Sequence, residues 1–292
     1  MSDLRGRLPA QSLMQRTLEL HPPSFFTPSG DARSWYQGAL GEIAVAGVLA
    51  LLGPEWTVLH SVPVGRADTD IDHVVIGPAG VFTINSKNHA GQKIWIAGHG
   101  LLVSGNKTTY IAAAISEARR AELLLSRSSG MTVPVTPVIV LVNPGPRTVK
   151  APAEGGVLVV ADWELLDGLR TRRVFSDEQI NRIVSVATRP QTWHENPAPE
   201  IDARVLAIHF NAIMARALQG SLPAPSPASS PRPPRASAPA TRPRSRSRSR
   251  SPKSGVGAQL LKAVVGLGVL WVFLTLVMPA VIAGLSSALI SP

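Results

Sequence analysis

The sequence predicts an α/β fold in which a mixed central β-sheet is flanked by helices. Short β-branched runs joined by compact turns come first, within residues 57–104, as expected for antiparallel hairpins. Two nearly continuous apolar runs, Val135–Val142 and Val157–Val160, follow after a helical segment. Such runs are typical of strands that are buried on both faces of a sheet. Hairpins followed by helix-separated buried strands favour a mixed sheet with helices packed on it.

Apolar spacing and turn residues predict the individual elements. A helix is expected from about Trp35 to Leu52, with Glu42 beside its apolar stripe, and a second from about Ile111 to Arg127. In addition to the two buried runs, strands are expected at Thr57–Val64, Asp70–Ile76, Val81–Lys87, Lys93–Ala97 and Leu101–Ser104. Ser176 and Gln179 have capping-box spacing, and further helices are expected at Asp162–Leu169, Ser176–Ala187 and Ile201–Leu218, the last as a surface helix.

Composition divides the chain into five parts. Residues 1–34 are punctuated by Pro and Ser and are expected to pack loosely, whereas residues 35–220 form the folded domain. Residues 221–255 are dominated by Pro, Ser, Ala and Arg. They bury too little apolar surface to offset the entropy of ordering, so a disordered linker is predicted. A membrane-spanning helix is predicted within 256–284, followed by a short tail, 285–292.

The membrane span is predicted from Ala263–Ala283, which contains no charged residue. At about 1.5 Å per residue this run is long enough to cross a hydrocarbon core of roughly 30 Å. A buried core helix is the alternative. Because the basic flank is N-terminal to the run, the positive-inside rule predicts a single-pass protein of the cell membrane with residues 1–254 in the cytoplasm. The Arg-Ser tract Arg244–Ser251 would then lie on anionic lipid, although such a tract could also bind RNA.

The basic composition belongs to the C-terminal part and not to the folded domain. The chain has 29 basic and 19 acidic residues, a formal charge of +10. Eleven of the basic residues and none of the acidic ones lie in 203–292, which leaves 18 basic against 19 acidic residues in 1–202. The charge therefore gives no evidence for a nucleic-acid groove on the domain. The absence of cysteine excludes disulfides, thiolate zinc sites and a cysteine nucleophile, and the histidines lack metal-ligand spacing.

The most informative segment is the predicted hairpin within Asp68–His89. Gly77–Gly80 is a compact turn between two β-branched runs, and a four-residue loop there pairs Ile76 with Val81. Residues whose numbers sum to 157 then face each other, and directly opposed residues project to the same face of an antiparallel pair. This register places on one face Asp70, Asp72, Asn85 and Lys87, and on the other His73, Ile84 and Ser86.

Such a cluster of polar side chains has two interpretations. Oxygen ligands beside an ammonium group could hold a hard divalent cation and a water next to a phosphate. Alternatively, the cluster consists of cross-strand charge pairs at the solvated end of a half-exposed sheet, which are ordinary surface features. The register also requires an unbulged turn, because a single β-bulge would move Asn85 off the face of Asp72.

One ordered set of motifs extends beyond the hairpin. It comprises Gly41-Glu42 on a helix, Ile71-Asp72-His73-Val74-Val75, Gly80-Val81-Phe82, Lys87 and Gly91. This pattern resembles the nuclease-related domain (NERD) family, over about Gly38 to Val160 and most densely over Gly38–Gly91. That family is regarded as a branch of the PD-(D/E)xK nuclease superfamily. The resemblance therefore implies a restriction-endonuclease-like fold around the predicted sheet.

The resemblance also implies a metal-dependent nuclease site made of Glu42, Asp72, Asn85 and Lys87. At Asn85 the chain departs from the family pattern, since the superfamily most often has Asp or Glu there. Asp72, Asn85 and Glu42 would hold Mg²⁺ or Mn²⁺. Lys87 would orient the attacking water or stabilise the transition state of phosphodiester hydrolysis. Asp70 would support Lys87 or be an exposed loop acid.

Two other functions remain open from the sequence. The amide of Asn85 removes one negative charge, and together with the membrane anchor it favours a catalytically inactive nuclease-fold module. Such a module would bind nucleic acid or a protein at the membrane. A membrane scaffold that acts through the Arg/Ser linker is the third possibility. The expected partners are therefore DNA or RNA and membrane lipids, and the sequence identifies no protein partner.

Overall fold

The computed structural model of the protein describes residues 3–21, 28–65, 69–194 and 202–220. Two compact units divide the chain, Met1–Arg216 and Ala217–Pro292, and the strands that the structure describes belong to the first. The predicted linker and the predicted membrane span, within 221–284, lie outside the described residues. Among the residues that are described, no helix is both long enough and apolar enough to cross a membrane.

The described residues form a mixed α/β structure, as predicted. Its helices are α1 (Gln11–Leu20), α2 (Gly30–Leu49), α3 (Tyr110–Ser129), α4 (Leu165–Leu169), α5 (Asp177–Ala187), α6 (Pro190–Trp193) and α7 (Ala203–Gly220). Its strands are β1 (Thr57–Pro63), β2 (Asp70–Gly77), β3 (Gly80–Asn88), β4 (Ile94–Gly98), β5 (Gly100–Val103), β6 (Asn106–Lys107), β7 (Val135–Val142), β8 (Arg147–Ala153) and β9 (Leu158–Ala161). The predicted elements are present with ends shifted by a few residues. The predicted capping box of Ser176 and Gln179 begins α5.

A five-stranded sheet with the order β1-β2-β3-β7-β9 forms the centre of the domain. The first three strands are antiparallel neighbours, whereas β7 runs parallel to β3 and β9 parallel to β7. Successive side chains point to opposite faces of the sheet. Val74 and Ile76 accordingly pack with α3 and α5, while Val75 packs with α2 and α4. Both faces of the central sheet are therefore covered by helices.

The predicted mixed central sheet is present, but β4 and β5 belong to a second sheet that the sequence did not indicate. This sheet has four strands in the order β6-β5-β4-β8. Its edge strand β8, Arg147–Ala153, is almost fully exposed and has a single large apolar residue, Val149, so it lacks the apolar pattern by which a strand is recognised in a sequence. The inner residues Ile94 and Ile96 of β4 pack with the first turns of α3, and the second sheet thereby shares a core with this helix.

The prediction of loose packing for residues 1–34 is also wrong in the part of this segment that the structure describes. Leu4 and Ala10 are buried, with Leu4 only 1% exposed, and Leu4 packs against β1 and β2 residues in the core. Helix α1 packs against α2. Few apolar residues, interrupted by Pro and Ser, are enough here because Leu4, Ala10 and Met14 are buried against the domain.

Helix α7 was predicted to be a surface helix, but one of its faces is buried. Leu206, Phe210 and Ile213 are buried at helical spacing. The ring of Phe210 lies 5.7 Å from that of Tyr36 on α2, measured between ring centroids. The first half of α7 therefore completes the hydrophobic packing of α2.

Candidate functional site

The β2–β3 hairpin has the predicted register but opens before its end. Pairing extends from the Gly77–Gly80 turn as far as His73 and Ile84, and the partner numbers sum to 157 with no bulge between them. Farther from the turn, β2 stays paired with β1 while β3 stays paired with β7. The two strands therefore diverge. We call the opening, which is lined by Asp70–Asp72 and Asn85–Lys87, the fork.

Asp72 lies where the two strands separate. Its Oδ2 accepts a hydrogen bond from the backbone N–H of Ser86 at 2.6 Å. The carboxylate thus replaces the carbonyl that a continued antiparallel ladder would offer to Ser86. Burial raises the pKa of Asp72 to about 7, and the positive charge of Lys87 opposes this rise. The charges of Asp72 and Lys87 therefore act on each other across the fork.

Glu42 reaches the same site from helix α2. It is 6% exposed, although the sequence places it only beside the apolar stripe of its helix. Burial, followed by the charges of Asp72 and Asp70, raises the pKa of Glu42 well above its ordinary value. The adjacent Gly41 allows α2 to approach β3 closely, since a Cβ there would lie 3.0 Å from the Cβ of Asn88. The predicted convergence of the helix Glu on the hairpin is thus present.

Asp70 is a strand residue and not the exposed loop acid that the sequence left as an alternative. It begins β2, where it is paired with Pro63 of β1, and it is partly buried. Burial raises its pKa, and a hydrogen bond with Ser12 together with the charge of Arg7 opposes this rise. Its charge in turn raises the pKa values of Glu42 and Asp72. Asp70 therefore belongs to the acidic cluster of the fork.

Asn85 contacts a carboxylate that the sequence analysis missed, that of Glu117 on α3. The Nδ2 atom of Asn85 donates to Oε1 and Oε2 of Glu117 at 3.1 and 3.2 Å. Burial raises the pKa of Glu117, and this hydrogen bond and the charge of Lys87 oppose the rise. The Oδ1 atom of Asn85 is buried and has no hydrogen-bond partner. A buried acceptor without a partner is unfavourable, so this atom is a candidate ligand atom.

The sequence contains a signal for Glu117, but an ambiguous one. The buried residues of α3 include Ala114, Ala118 and Ala121. Glu117 is three residues after the first and four before the last, which places it on the flank of the buried stripe. Glu122 has the same relation to the stripe, four residues after Ala118. Only the packing of α3 on β3 and β7 decides which of the two acids faces Asn85.

Lys87 is held beside two aromatic side chains. Its Nζ lies 5.1 Å from the ring centroid of Tyr110, the first residue of α3, which is within cation–π distance. The Oη of Tyr110 lies 3.0 Å from Nε2 of His89, and the two rings are stacked with centroids 5.7 Å apart. These contacts restrict the positions available to the ammonium group at the fork.

On the opposite face of the hairpin, a buried histidine pair supports β3. The Nδ1 atoms of His60 and His73 lie 2.8 Å apart, and Nε2 of His73 lies 3.4 Å from Oγ of Ser86. Burial lowers the pKa of His60 to about 4 and that of His73 well below its ordinary value, so both rings are neutral at pH 7. Ser86 is thereby held by Asp72 through its backbone and by His73 through its side chain. The neighbouring Asn85 and Lys87 are positioned as a result.

The donor atoms of the fork fit a hard divalent cation in their chemistry. Among the described residues, no group of three or more His, Cys, Asp or Glu side chains is placed to hold a metal ion. The Asn85 amide oxygen, which is buried and has no hydrogen-bond partner, is a further oxygen atom of the fork. Carboxylate and amide oxygens are donors of the kind that Mg²⁺ and Mn²⁺ prefer.

The fork lies within a segment that matches a known family. Residues 37–142 match the family model of the nuclease-related domain, NERD. The matched segment contains the four site residues predicted from the sequence and also Glu117. No curated protein and no solved structure matches the chain. The match indicates a nuclease-related domain, and the mixed α/β architecture is consistent with the PD-(D/E)xK superfamily.

Proposed function

We propose that this protein is a membrane-anchored, metal-dependent nuclease that hydrolyses phosphodiester bonds of DNA or RNA at the fork. The observation that carries the proposal is the convergence of Asp72, Glu42 and Lys87 within the segment that matches the nuclease-related domain. Burying several acids together raises their pKa values and is unfavourable for folding. The cluster of buried acids beside Lys87 therefore indicates a functional role and not a contribution to stability.

The chemistry that Mg²⁺ or Mn²⁺ supplies when bound is polarisation of the scissile phosphate and activation of a water. Asp72 and the amide oxygen of Asn85 would be ligands of the ion, and Glu42 would complete the shell or position a second water. Lys87 would donate hydrogen bonds to the attacking water or to the phosphate oxygens, where negative charge develops in the transition state. Tyr110 would keep the ammonium of Lys87 directed into the fork.

The membrane anchor is the second part of the proposal. It rests on the uncharged run Ala263–Ala283 behind a linker rich in arginine. With the folded part in the cytoplasm, each arginine near an anionic leaflet would contribute on the order of 1 kcal/mol to membrane binding. The nuclease-related domain would therefore act on nucleic acid close to the membrane.

A catalytically inactive module that binds nucleic acid or a protein is the second candidate. It is favoured by Asn85, which stands where the superfamily most often has an acid. It is also favoured because the described residues contain no metal group made of His, Cys, Asp and Glu alone. In this case the fork would bind a ligand without cleaving it.

The test is a cleavage assay on the full chain, purified in detergent. Linear DNA and single-stranded RNA are incubated with Mg²⁺, with Mn²⁺ or with a chelator. We expect metal-dependent cleavage by the wild type and by Asp167→Asn, which alters an exposed acid on α4. Asp72→Asn keeps an acceptor for the N–H of Ser86 but should lose at least about a hundredfold in rate. Equal cleavage by both variants would contradict the proposal.

A further inference from the structure

The second sheet carries an excess of positive charge. Segments 93–109 and 143–153, which contain its four strands, include four Lys or Arg residues and no Asp or Glu. Residues 1–202 as a whole are nearly neutral, so positive charge is concentrated in this sheet. Arg147 forms an ion pair with Glu164 at 2.6 Å. The remaining three basic residues are lysines.

The two faces of this sheet have different surroundings. Ile94, Ile96 and Leu101 are buried on the inner face, where they pack with Ile111 near the start of α3. Trp95 lies between the two isoleucines in β4, so its side chain points to the opposite, outer face. It is 38% exposed, whereas each of the two isoleucines is 2% exposed. The outer face therefore presents a large aromatic side chain to solvent.

Strand pairing aligns further side chains with Trp95. Trp95 is paired with Leu102 and with Thr148, and Leu102 is paired with Lys107. Paired residues project to the same face of a sheet. Lys93 precedes Trp95 by two residues, and its carbonyl takes part in the backbone pairing, so it is also on this face. We call Lys93, Trp95, Leu102, Lys107 and Thr148 the outer face.

The indole of Trp95 lies along the sheet. A Cβ added to Gly100 would be 3.4 Å from Cζ3 of Trp95 and 4.0 Å from Cδ1 of Leu102. The ring therefore packs over Gly100, where the lack of a side chain gives it room. Side chains that anchor a protein in a bilayer insert among the lipids. A ring that rests on its own sheet is better suited to stack with a planar ligand.

We propose that the outer face binds single-stranded nucleic acid, with a base stacked on Trp95 and the neighbouring phosphates bound by Lys93 and Lys107. Unpaired bases stack on aromatic side chains of open sheets, whereas the bases of a duplex already stack on one another. The lysines supply the charge that complements the phosphates. This surface belongs to other strands than the fork, and the inference does not depend on cleavage at the fork.

The test measures binding of the full chain, purified in detergent, to two labelled oligonucleotides by fluorescence anisotropy. A chelator is present, so metal-dependent cleavage does not occur. One strand is oligothymidylate, and the other has the same number of phosphates but abasic sites throughout. The arginines of residues 221–255 attract the phosphates of both strands, so the ratio of the two affinities reports the contribution of the bases. The wild type should prefer oligothymidylate about fivefold or more.

Two pairs of variants assign this binding to the outer face. Trp95→Leu should bind the two strands equally, while the matched control Trp163→Leu, at a position outside the sheet that is 66% exposed, should keep the preference. Lys107→Gln should weaken binding of both strands and lower the slope of log affinity against log salt by about 0.7, the contribution of one phosphate contact. Arg172→Gln, in the exposed loop before α5, should leave the slope unchanged.

Tryptophan emission of the wild type is a second measurement that requires no substitution at Trp95. Oligothymidylate should quench it more than the abasic strand does, because only the former offers bases for stacking. For the full chain reconstituted in vesicles, the emission of Trp95 is the difference between the wild type and Trp95→Leu. A change in this difference that follows the content of anionic lipid, and not oligothymidylate, would assign the outer face to the membrane and overturn the inference.

Equal binding of the two strands by the wild type, or a preference that Trp95→Leu retains, would also overturn it. Neither result affects the proposed cleavage at the fork, which is measured with metal present. Absence of metal-dependent cleavage would in turn contradict the proposed function and leave the binding by the outer face intact.

Discussion

Asp72 connects the backbone of the hairpin to the electrostatics of the fork. Its carboxylate accepts the Ser86 N–H, and it interacts electrostatically with Glu42, Asp70 and Glu117, with Lys87 as the opposing charge. Burial of this group raises its pKa from 3.8 to about 7. In the absence of a divalent cation, a neutral or half-neutral carboxyl is therefore the stable form of Asp72 near pH 7.

The first prediction concerns the pH dependence of stability. The folded protein keeps a proton on Asp72 that the unfolded chain releases, and this protonation stabilises the fold. The stabilisation is fully present below about pH 4 and is lost as the pH rises through about 7. Between about pH 5 and 8, in metal-free buffer, the urea midpoint of the wild type should fall relative to that of Asp72→Asn. Tryptophan fluorescence measures both midpoints.

The histidine pair has the opposite effect on the pH dependence of stability. His60 and His73 have lowered pKa values, so their contribution to the free energy of unfolding is lost as the pH falls. This contribution is common to both proteins and cancels in the comparison. Asp167→Asn should follow the wild type at every pH. Parallel curves for the wild type and Asp72→Asn would show that the Asp72 carboxyl is not shifted as described.

The second prediction concerns Asn85→Asp. The new carboxylate would face that of Glu117, whose oxygens lie 3.1 and 3.2 Å from the present Nδ2, so the metal-free protein should be less stable. A divalent cation would be bound more tightly, because the ligand set gains a charge. The Mn²⁺-induced rise of the urea midpoint should therefore be larger in Asn85→Asp than in the wild type.

A control for this variant is Asn181→Asp on the exposed face of α5. It should leave both the metal-free stability and the effect of Mn²⁺ unchanged. The metal-site account of Asn85 would be wrong if Mn²⁺ stabilised Asn85→Asp no more than the wild type.

At the scale of the elements, the N-terminal segment contacts the site residue Glu42 on α2 and packs on the core of the domain. The backbone N–H of Ala10 donates to the Glu42 carboxylate, and Leu4 is 1% exposed in the main core. The third prediction is that Leu4→Ala lowers the free energy of unfolding by about 2–5 kcal/mol, the usual range for a buried leucine. Leu123→Ala, at a position 67% exposed, should change it by less than about 0.5 kcal/mol. Equal effects would show that residues 3–10 do not pack on the domain in solution.

The elements of the central sheet were largely predictable, because local rules determine them. The Gly77–Gly80 turn and the β-branched runs on either side specify the register, and this register is confirmed as far as His73 and Ile84. Its extension to a paired Asp72 and Asn85 is wrong, since Asp72 bonds to the N–H of Ser86 through its side chain. Whether two strands separate depends on their other neighbours, which the hairpin sequence does not contain.

What could not be predicted depends on contacts between distant segments. Glu117 meets Asn85 only because α3 crosses back over the sheet between β6 and β7. The spacing of the histidines in the sequence gives no sign that His60 and His73 touch, because their contact depends on the register of β1 against β2. Strand β8 is exposed and has only one large apolar residue, so the sequence did not predict it.

At the scale of the whole molecule, charge and hydrophobicity are separated along the sequence. The part up to residue 202 is nearly neutral, while all later ionisable side chains other than histidine are basic and precede the uncharged run Ala263–Ala283. The fourth prediction is that the full chain sediments with membranes and is released by detergent. Deletion of 255–292 should move it to the soluble fraction.

Protease added to intact spheroplasts tests the orientation and should leave the folded part uncut. If the full chain stays soluble after lysis without detergent, the prediction of a membrane anchor is wrong. Cleavage of the domain from outside would reverse the proposed orientation.

The most direct test of the central claim, that the fork hydrolyses phosphodiester bonds, is the effect of Lys87→Ala on cleavage and on binding together. Cleavage of labelled DNA and RNA by the full chain is compared with Mn²⁺ affinity and fluorescence anisotropy. Lys150→Ala, on the exposed strand β8, is the control. We predict that Lys87→Ala reduces cleavage at least about a hundredfold while the fold and Mn²⁺ binding remain. Cleavage by Lys87→Ala at the wild-type rate, or nucleic-acid binding by the wild type without cleavage at millimolar metal, would contradict the claim.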